Sequence, residues 1–129
     1  MEKSLKERIE DFTSDWSWDE KSTVKAFEMG KVLFSFMNFL EPKFSKRTYN
    51  NHCDNVFFVG MFTMQYGSEE PFDIDQLLGA DFYSFQYERK VSDSEYAVNS
   101  YEATCRKLDK FIESGDYKPY LEEIEAELK

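Results

Sequence analysis

Residues 45–67 read SKRTYNNHCDNVFFVGMFTMQYG, and the rest of the chain is organised around this interval. Ser45 has the hydroxyl of a helix N-cap and Gly67 marks a stop, so the interval predicts one long helix. Tyr49, Cys53, Val56, Phe57, Gly60 and Met64 follow one face, while Phe58, Val59, Met61 and Phe62 cover the others. A helix that is apolar all round belongs at the centre of a bundle. Gly60 costs up to about 1 kcal/mol in a helix interior, so it predicts close approach by a neighbouring helix.

Working outward, Ser17-Trp18-Asp19-Glu20 has the form of a capping box and predicts a helix over 18–40 that Pro42 ends. Its apolar positions include Val24, Phe27, Leu33, Phe34, Met37 and Leu40. Before it, Leu5, Ile9 and Phe12 predict a short amphipathic helix over 2–13, so residues 1–17 read as an N-terminal helical extension of a bundle formed by 18–129. Beyond Gly67, Ser68-Glu69-Glu70-Pro71 reads as a loop. It leads to a short helix over 72–78 capped by Asp73, and to another over 81–90 with Phe82 and Phe85 inward. Ser92-Asp93-Ser94-Glu95 repeats the capping-box pattern and starts a helix that ends at Gly115, with Val98, Tyr101, Cys105, Leu108 and Ile112 as its stripe. A last helix over 118–128 uses Leu121, Ile124 and Leu128. No segment sustains the alternation of a strand, so residues 1–129 are expected to form a single all-α domain, an orthogonal or antiparallel bundle of about five helices.

Aromatic side chains make up 18% of the residues, which implies an interior filled by rings. The longest apolar run, Val56 to Met64, falls far short of the roughly 20 residues of a membrane span. The start, MEKSLKER, lacks the apolar stretch of a secretory signal, and the expected compartment is the cytoplasm. Cys53 and Cys105 make no disulfide framework and read as small apolar fillers.

His52-Cys53-Asp54 looks like a metal corner, but consecutive helical residues point about 100° apart and cannot share one ion. His52 is the chain's one histidine, and Cys105 the one further thiol, so no metal site is expected. Neither does His52 beside Cys53 make a nucleophile pair, which needs a base oriented by a third group. Phosphate loops, dinucleotide fingerprints and nucleophile elbows are absent. The expectation is no catalytic residue and no cofactor.

The formal net charge is −10, and it is unevenly spread. Residues 68–88 hold six acidic side chains and no basic one, whereas residues 21–67 balance at +3 and residues 89–112 at +1. Two stretches also share one layout, a capped start and a polar first turn followed by an aromatic-rich helix ending in Gly. They run from Phe44-Ser45-Lys46-Arg47-Thr48-Tyr49 to Gly67, and from Val91-Ser92-Asp93-Ser94-Glu95 to Gly115.

This order resembles the core-binding domain of tyrosine recombinases, the helical SAM-like N-terminal module of phage-type integrases, over about residues 20–129. Phe36-Met37-Asn38-Phe39-Leu40 followed by Phe44-Ser45 and Thr48 is similar to the family's "F..FL" before "LS..T". Asp81-Phe82-Tyr83-Ser84-Phe85 is similar to its "I..F", and Ala97 through Phe111 to its last long helix. The resemblance implies a module that clamps one side of duplex DNA. The matching positions are Lys43, Ser45, Lys46, Arg47, Thr48 and Asn51 on one helix start, with Arg89, Lys90, Ser94 and Asn99 on the other. Recombination chemistry in that family resides in a separate domain with an Arg-His-Arg-Tyr constellation, which is not found in these residues, so the module is expected to be non-catalytic.

A net charge of −10 opposes a polyanion, so duplex binding is expected to be weak and salt-sensitive. The competing expectation is an acidic protein-interaction module that binds a basic partner, as inhibitors and DNA mimics do. Placement of Lys43, Lys46, Arg47, Arg89 and Lys90 separates the two: clustering on one face favours DNA, scatter favours the interaction module. No membrane partner is expected, and the oligomeric state is left open.

Overall fold

The computed structural model describes residues 2–129. Among them are six α-helices and no strand: α1 (Leu5–Thr13), α2 (Glu20–Leu40), α3 (Lys46–Tyr66), α4 (Ser84–Lys90), α5 (Glu95–Glu113) and α6 (Tyr117–Leu128). Short 3-10 turns lie at Ser14–Trp16, Glu41–Lys43, Ile74–Leu77 and Ala80–Tyr83.

α3 lies at the centre, with Val56, Val59 and Phe62 fully buried and Phe57, Phe58 and Met61 half-buried among other rings. Its neighbours are α2 on one side and α5 on the other. What Gly60 accommodates differs from expectation. A Cβ there would sit 2.1 Å from the Trp16 ring, so the close approach comes from an indole carried by a 3-10 turn, not from a helix. Trp16 is 1% exposed and packs against Phe12 and Phe57, which ties residues before α2 into the central core. α1 itself buries Leu5 and Ile9 against Ile124 of α6 and Phe27 and Phe34 of α2.

Two helix starts are displaced from the capping boxes read in the sequence. Ser17 does not cap α2; its hydroxyl donates to the Ser14 carbonyl at 3.4 Å. Asp19 caps instead, its carboxylate accepting the Ser22 N–H at 2.7 Å while Ser22 Oγ accepts the Asp19 N–H at 3.0 Å. For α5 the cap is Ser94 rather than Ser92: Ser94 Oγ accepts from the Ala97 N–H at 3.3 Å, and Ser92 Oγ braces the Ser94 N–H at 3.2 Å. In both places several capping residues compete within a few positions, and the one whose oxygen reaches the third helical amide sets the start. Asp73 does cap its segment, but that segment is a single 3-10 turn, Ile74–Leu77.

Three apolar side chains expected inside lie outside. Val24 is 60% exposed because Ser22, Ala26 and Met29 define the inward face of α2, and Val24 is about 200° round the helix from Ser22 and Ala26. Phe82 and Phe85 are 85% and 62% exposed. Gly79, at φ 73°, turns the chain into the 3-10 segment so that Ala80 and Tyr87 take the inward places. Tyr87 stacks on Tyr101 at 4.8 Å, and the Tyr101 hydroxyl donates to the Ala80 carbonyl at 3.0 Å. The α5 stripe holds as read: Tyr101, Cys105, Leu108 and Ile112 are buried and Val98 half-buried.

Candidate interaction surfaces

α3 is 21 residues, about 30 Å long, and its two ends carry different chemistry. At the start, Ser45 Oγ accepts the Thr48 N–H at 3.3 Å and also donates to Thr48 Oγ1 at 3.1 Å. The Lys43 ammonium lies over the Phe39 ring at 4.4 Å, and Lys107 of α5 lies over Phe44 at 5.6 Å. Lys43, Lys46, Arg47, Thr48 and Asn51 are exposed around this end. The ion pairs among the described residues are Lys3 with Asp11 and Lys31 with Glu28, so none of these cations has an acidic partner.

The other inferred DNA-contacting group sits elsewhere. α5 runs back along α3, with Lys107 beside Phe44, Thr104 Oγ1 2.7 Å from His52 Nδ1, and Ser100 Oγ accepting from Asn55 Nδ2 at 3.1 Å. Asn99, exposed next to Ser100, is therefore level with the middle of α3. Lys90 donates to the hydroxyl of Tyr66, the last residue of α3, and lies over that ring at 5.0 Å. Arg89 lies over the exposed Phe85 at 5.7 Å, and Ser94 is engaged as the α5 cap. The structure thus brings Lys43, Ser45, Lys46, Arg47, Thr48 and Asn51 together, and leaves Arg89 and Lys90 near the opposite end of α3.

His52, Cys53 and Asp54 diverge as helical geometry requires. His52 points inward between Thr104 and the Phe44 ring, 4.9 Å away, and burial, assisted by the positive charge of Lys107, lowers its pKa. Cys53 is half-buried beside Tyr49, with burial raising its thiol, and Asp54 faces solvent. Burial pushes the Cys105 thiol up to about 12. The described residues hold no group of three His, Cys, Asp or Glu side chains arranged to hold a metal ion. None of their helices is long and apolar enough to cross a membrane.

The end of α3 opens onto a groove of about 800 Å³ between the first turns of α2 and the 67–72 segment. Met64, Pro71 and Phe72 provide its apolar lining, and Trp18, 67% exposed, stands at its edge with Val24. Lys25 holds the far wall. Its side chain is buried, and its ammonium donates to the carbonyls of Ser68 and of Glu70, the latter at 2.7 Å. Burial lowers the Lys25 pKa, against the opposing pull of the Glu70 and Glu69 carboxylates. The rim carries Asp19, Glu28, Glu69 and Glu70. Neither Lys25 nor this groove stands out in the sequence. The available signal is that Lys25 shares the inward α2 face with Ser22 and Met29, which makes a buried, bonded lysine the geometric consequence.

Comparison with family models, with curated proteins and with solved structures finds no match.

Proposed function

We propose that this chain is a non-catalytic protein-interaction module that offers an acidic surface to a basic protein partner. The observation that carries the reading is the scatter of the cations: Lys43, Lys46 and Arg47 stand at one end of α3, and Lys90 is bonded to Tyr66 at the other. Acidic groups outnumber them and run together in the sequence. Glu69, Glu70, Asp73, Asp75, Asp81 and Glu88 are all exposed, with no basic residue between positions 68 and 88, and α6 adds exposed Glu122, Glu123, Glu125 and Glu127. Such a surface draws cationic chains and repels a phosphate backbone. The test is binding of oligolysine and of duplex DNA, each titrated at about 20 mM salt and upward, where screening of phosphate contacts is least. Binding of the cationic peptide that weakens with salt, without duplex binding, is the expected result; no binding of cationic peptides overturns the reading.

A second reading is favoured by one observation, the uncompensated Lys43, Lys46, Arg47 and Lys107 at the start of α3. Under it the chain is a SAM-like core-binding bundle that touches duplex through this end alone, by phosphate contacts and the free amides of the helix start. Four contacts give a log–log salt slope of about −4. Duplex binding with that slope, lost in the Lys46→Ala, Arg47→Ala double variant, would establish this reading in place of the first.

A further inference from the structure

We infer that the groove between the start of α2 and the 67–72 segment is the docking site, and that its occupant is a basic amphipathic helix of the partner protein. The inference rests on the acidic-module reading and gives it a location and a ligand class.

Trp18 and Val24 are large apolar side chains that the described residues leave 67% and 60% exposed, and both line one hollow. Isolated exposed apolar residues are ordinary; two that border an apolar-lined groove form a patch of the kind that partners cover. The hollow has a firm wall as well. Lys25 clamps the Ser68 and Glu70 carbonyls, Ser68 Oγ accepts the Glu70 N–H at 3.0 Å, and Gly67 N–H donates to the Thr63 carbonyl at 2.9 Å. A wall held by four such bonds presents a shape fixed before binding, which reduces the ordering cost of association.

Length and charge select the occupant. A second, shallower hollow of about 220 Å³ shares Glu28 and Phe72 with the first and extends it past Ile74 to Leu121 and Glu125. From Glu20, the first residue of α2, to Lys31 is about 17 Å, about three turns of a docked helix, enough for apolar anchors at i, i+3 or i+4, and i+7. Around this apolar track the carboxylates are Asp19, Glu28, Glu69, Glu70 and Glu125. Of the three lysines, Lys25 is turned inward onto carbonyls and Lys31 and Glu28 neutralise each other at 2.8 Å, so among the described residues Asp19, Glu69, Glu70 and Glu125 stand against Lys21 alone. The rim therefore complements Lys or Arg flanking an apolar stripe, and disfavours an acidic helix.

The experiment uses the whole chain and a synthetic helix of leucine and lysine, with leucines at the anchor spacing. Oligolysine and a leucine–glutamate helix serve as the comparison probes. Trp18 is the reporter, because Trp16 is already buried and a docked apolar side chain shifts the emission of the exposed indole to the blue. The leucine–lysine helix should bind and shift the emission; oligolysine should bind at least about tenfold more weakly, and the acidic helix not at all. Val24→Lys, an exposed change that the fold accommodates, and the Glu69→Lys, Glu70→Lys double variant should each weaken binding about tenfold or more, while Glu122→Lys with Glu123→Lys on α6 should change it less than about twofold. If oligolysine binds as tightly, or the α6 variants weaken binding and the groove variants do not, the groove assignment falls while the acidic-module reading survives. If neither cationic probe binds, both fall. Sedimentation of the chain alone that shows self-association abolished by Val24→Lys would give the groove to a second copy and overturn the partner assignment.

Discussion

The two ends of α3 make a contrast within one helix. At its start the backbone enters through a Ser45 cap and the nearby surface is cationic, with Lys43 and Lys107 laid over the Phe39 and Phe44 rings. At its end the chain leaves through Gly67 into a groove rimmed by carboxylates, and one of the lysines there, Lys25, is used as an internal strut. Between them the helix is a spacer locked by Trp16 against Gly60. A lysine's count in a local charge balance therefore says little about its field. Lys25 and Lys43 weigh equally in the sequence, yet one is spent on backbone carbonyls and the other reaches solvent.

Breaking the spacer should have the largest effect. Gly60→Ala places a methyl 2.1 Å from the Trp16 ring, and the gain in helix propensity of up to about 1 kcal/mol does not offset the displacement of a buried indole. A net loss of about 2–3 kcal/mol is expected, read as a drop in the denaturation midpoint at unchanged slope. An unchanged midpoint would mean that Trp16 does not hold the two ends apart as described.

Removing the strut should act locally. Lys25→Met keeps the aliphatic stem and deletes the ammonium, leaving the Ser68 and Glu70 carbonyls without their donor at a cost of about 1–3 kcal/mol. Amide exchange should accelerate over residues 67–72 and stay slow in the middle of α3. Acceleration spread evenly over α3 would show that the two ends are not independent.

The pH response sharpens the contrast from the other end. The folded pKa of His52 is lowered by burial, so the neutral ring belongs to the folded state and the unfolded chain binds the proton more readily. Its contribution to stability is complete above the unfolded value of 6.5 and is lost as pH falls from there through the folded value. The groups facing it are Thr104, the Phe44 ring and the Lys107 ammonium, and only the last is charged. Stability curves at pH 7 and pH 5 should therefore differ less in His52→Gln than in the unaltered chain. An equal difference would assign the acid sensitivity to carboxylates elsewhere.

The smallest effect concerns the cationic start. Replacing Lys46 and Arg47 by Ala removes two positive charges from a helix N-terminus, where they are slightly unfavourable, so stability should hold or rise by a few tenths of a kcal/mol, about the size of a surface dipole contribution. A measurable fall in melting temperature would mean that these side chains make contacts the structure does not show.

Much of this architecture was legible because it depends on local rules. The long α3 from Ser45 to Gly67, the α5 stripe and the stop at Pro42 follow from caps, helical period and proline geometry, all readable within a few residues. Where several caps compete, as at Ser17 and Asp19 or Ser92 and Ser94, local pattern narrows the start to a turn and the actual hydrogen bond chooses. Phe82 and Phe85 show where hydrophobicity misleads: the left-handed Gly79 rotates the segment, and the inward places go to Ala80 and Tyr87. The cations of the second inferred site were legible as residues but not as a place, because neither sequence interval reveals that α5 runs back along α3.

An all-helical chain with α3 at its centre, an aromatic interior and a strong acidic excess follow from the order of residues alone, since composition and period act within each helix. That Trp16 fills the notch at Gly60, that Lys25 turns inward, and that Trp18 and Val24 stand exposed beside a groove are properties of the folded arrangement. Each of these depends on which helix faces meet across the bundle. That choice is made by the packing of distant residues, and no window of sequence contains both partners.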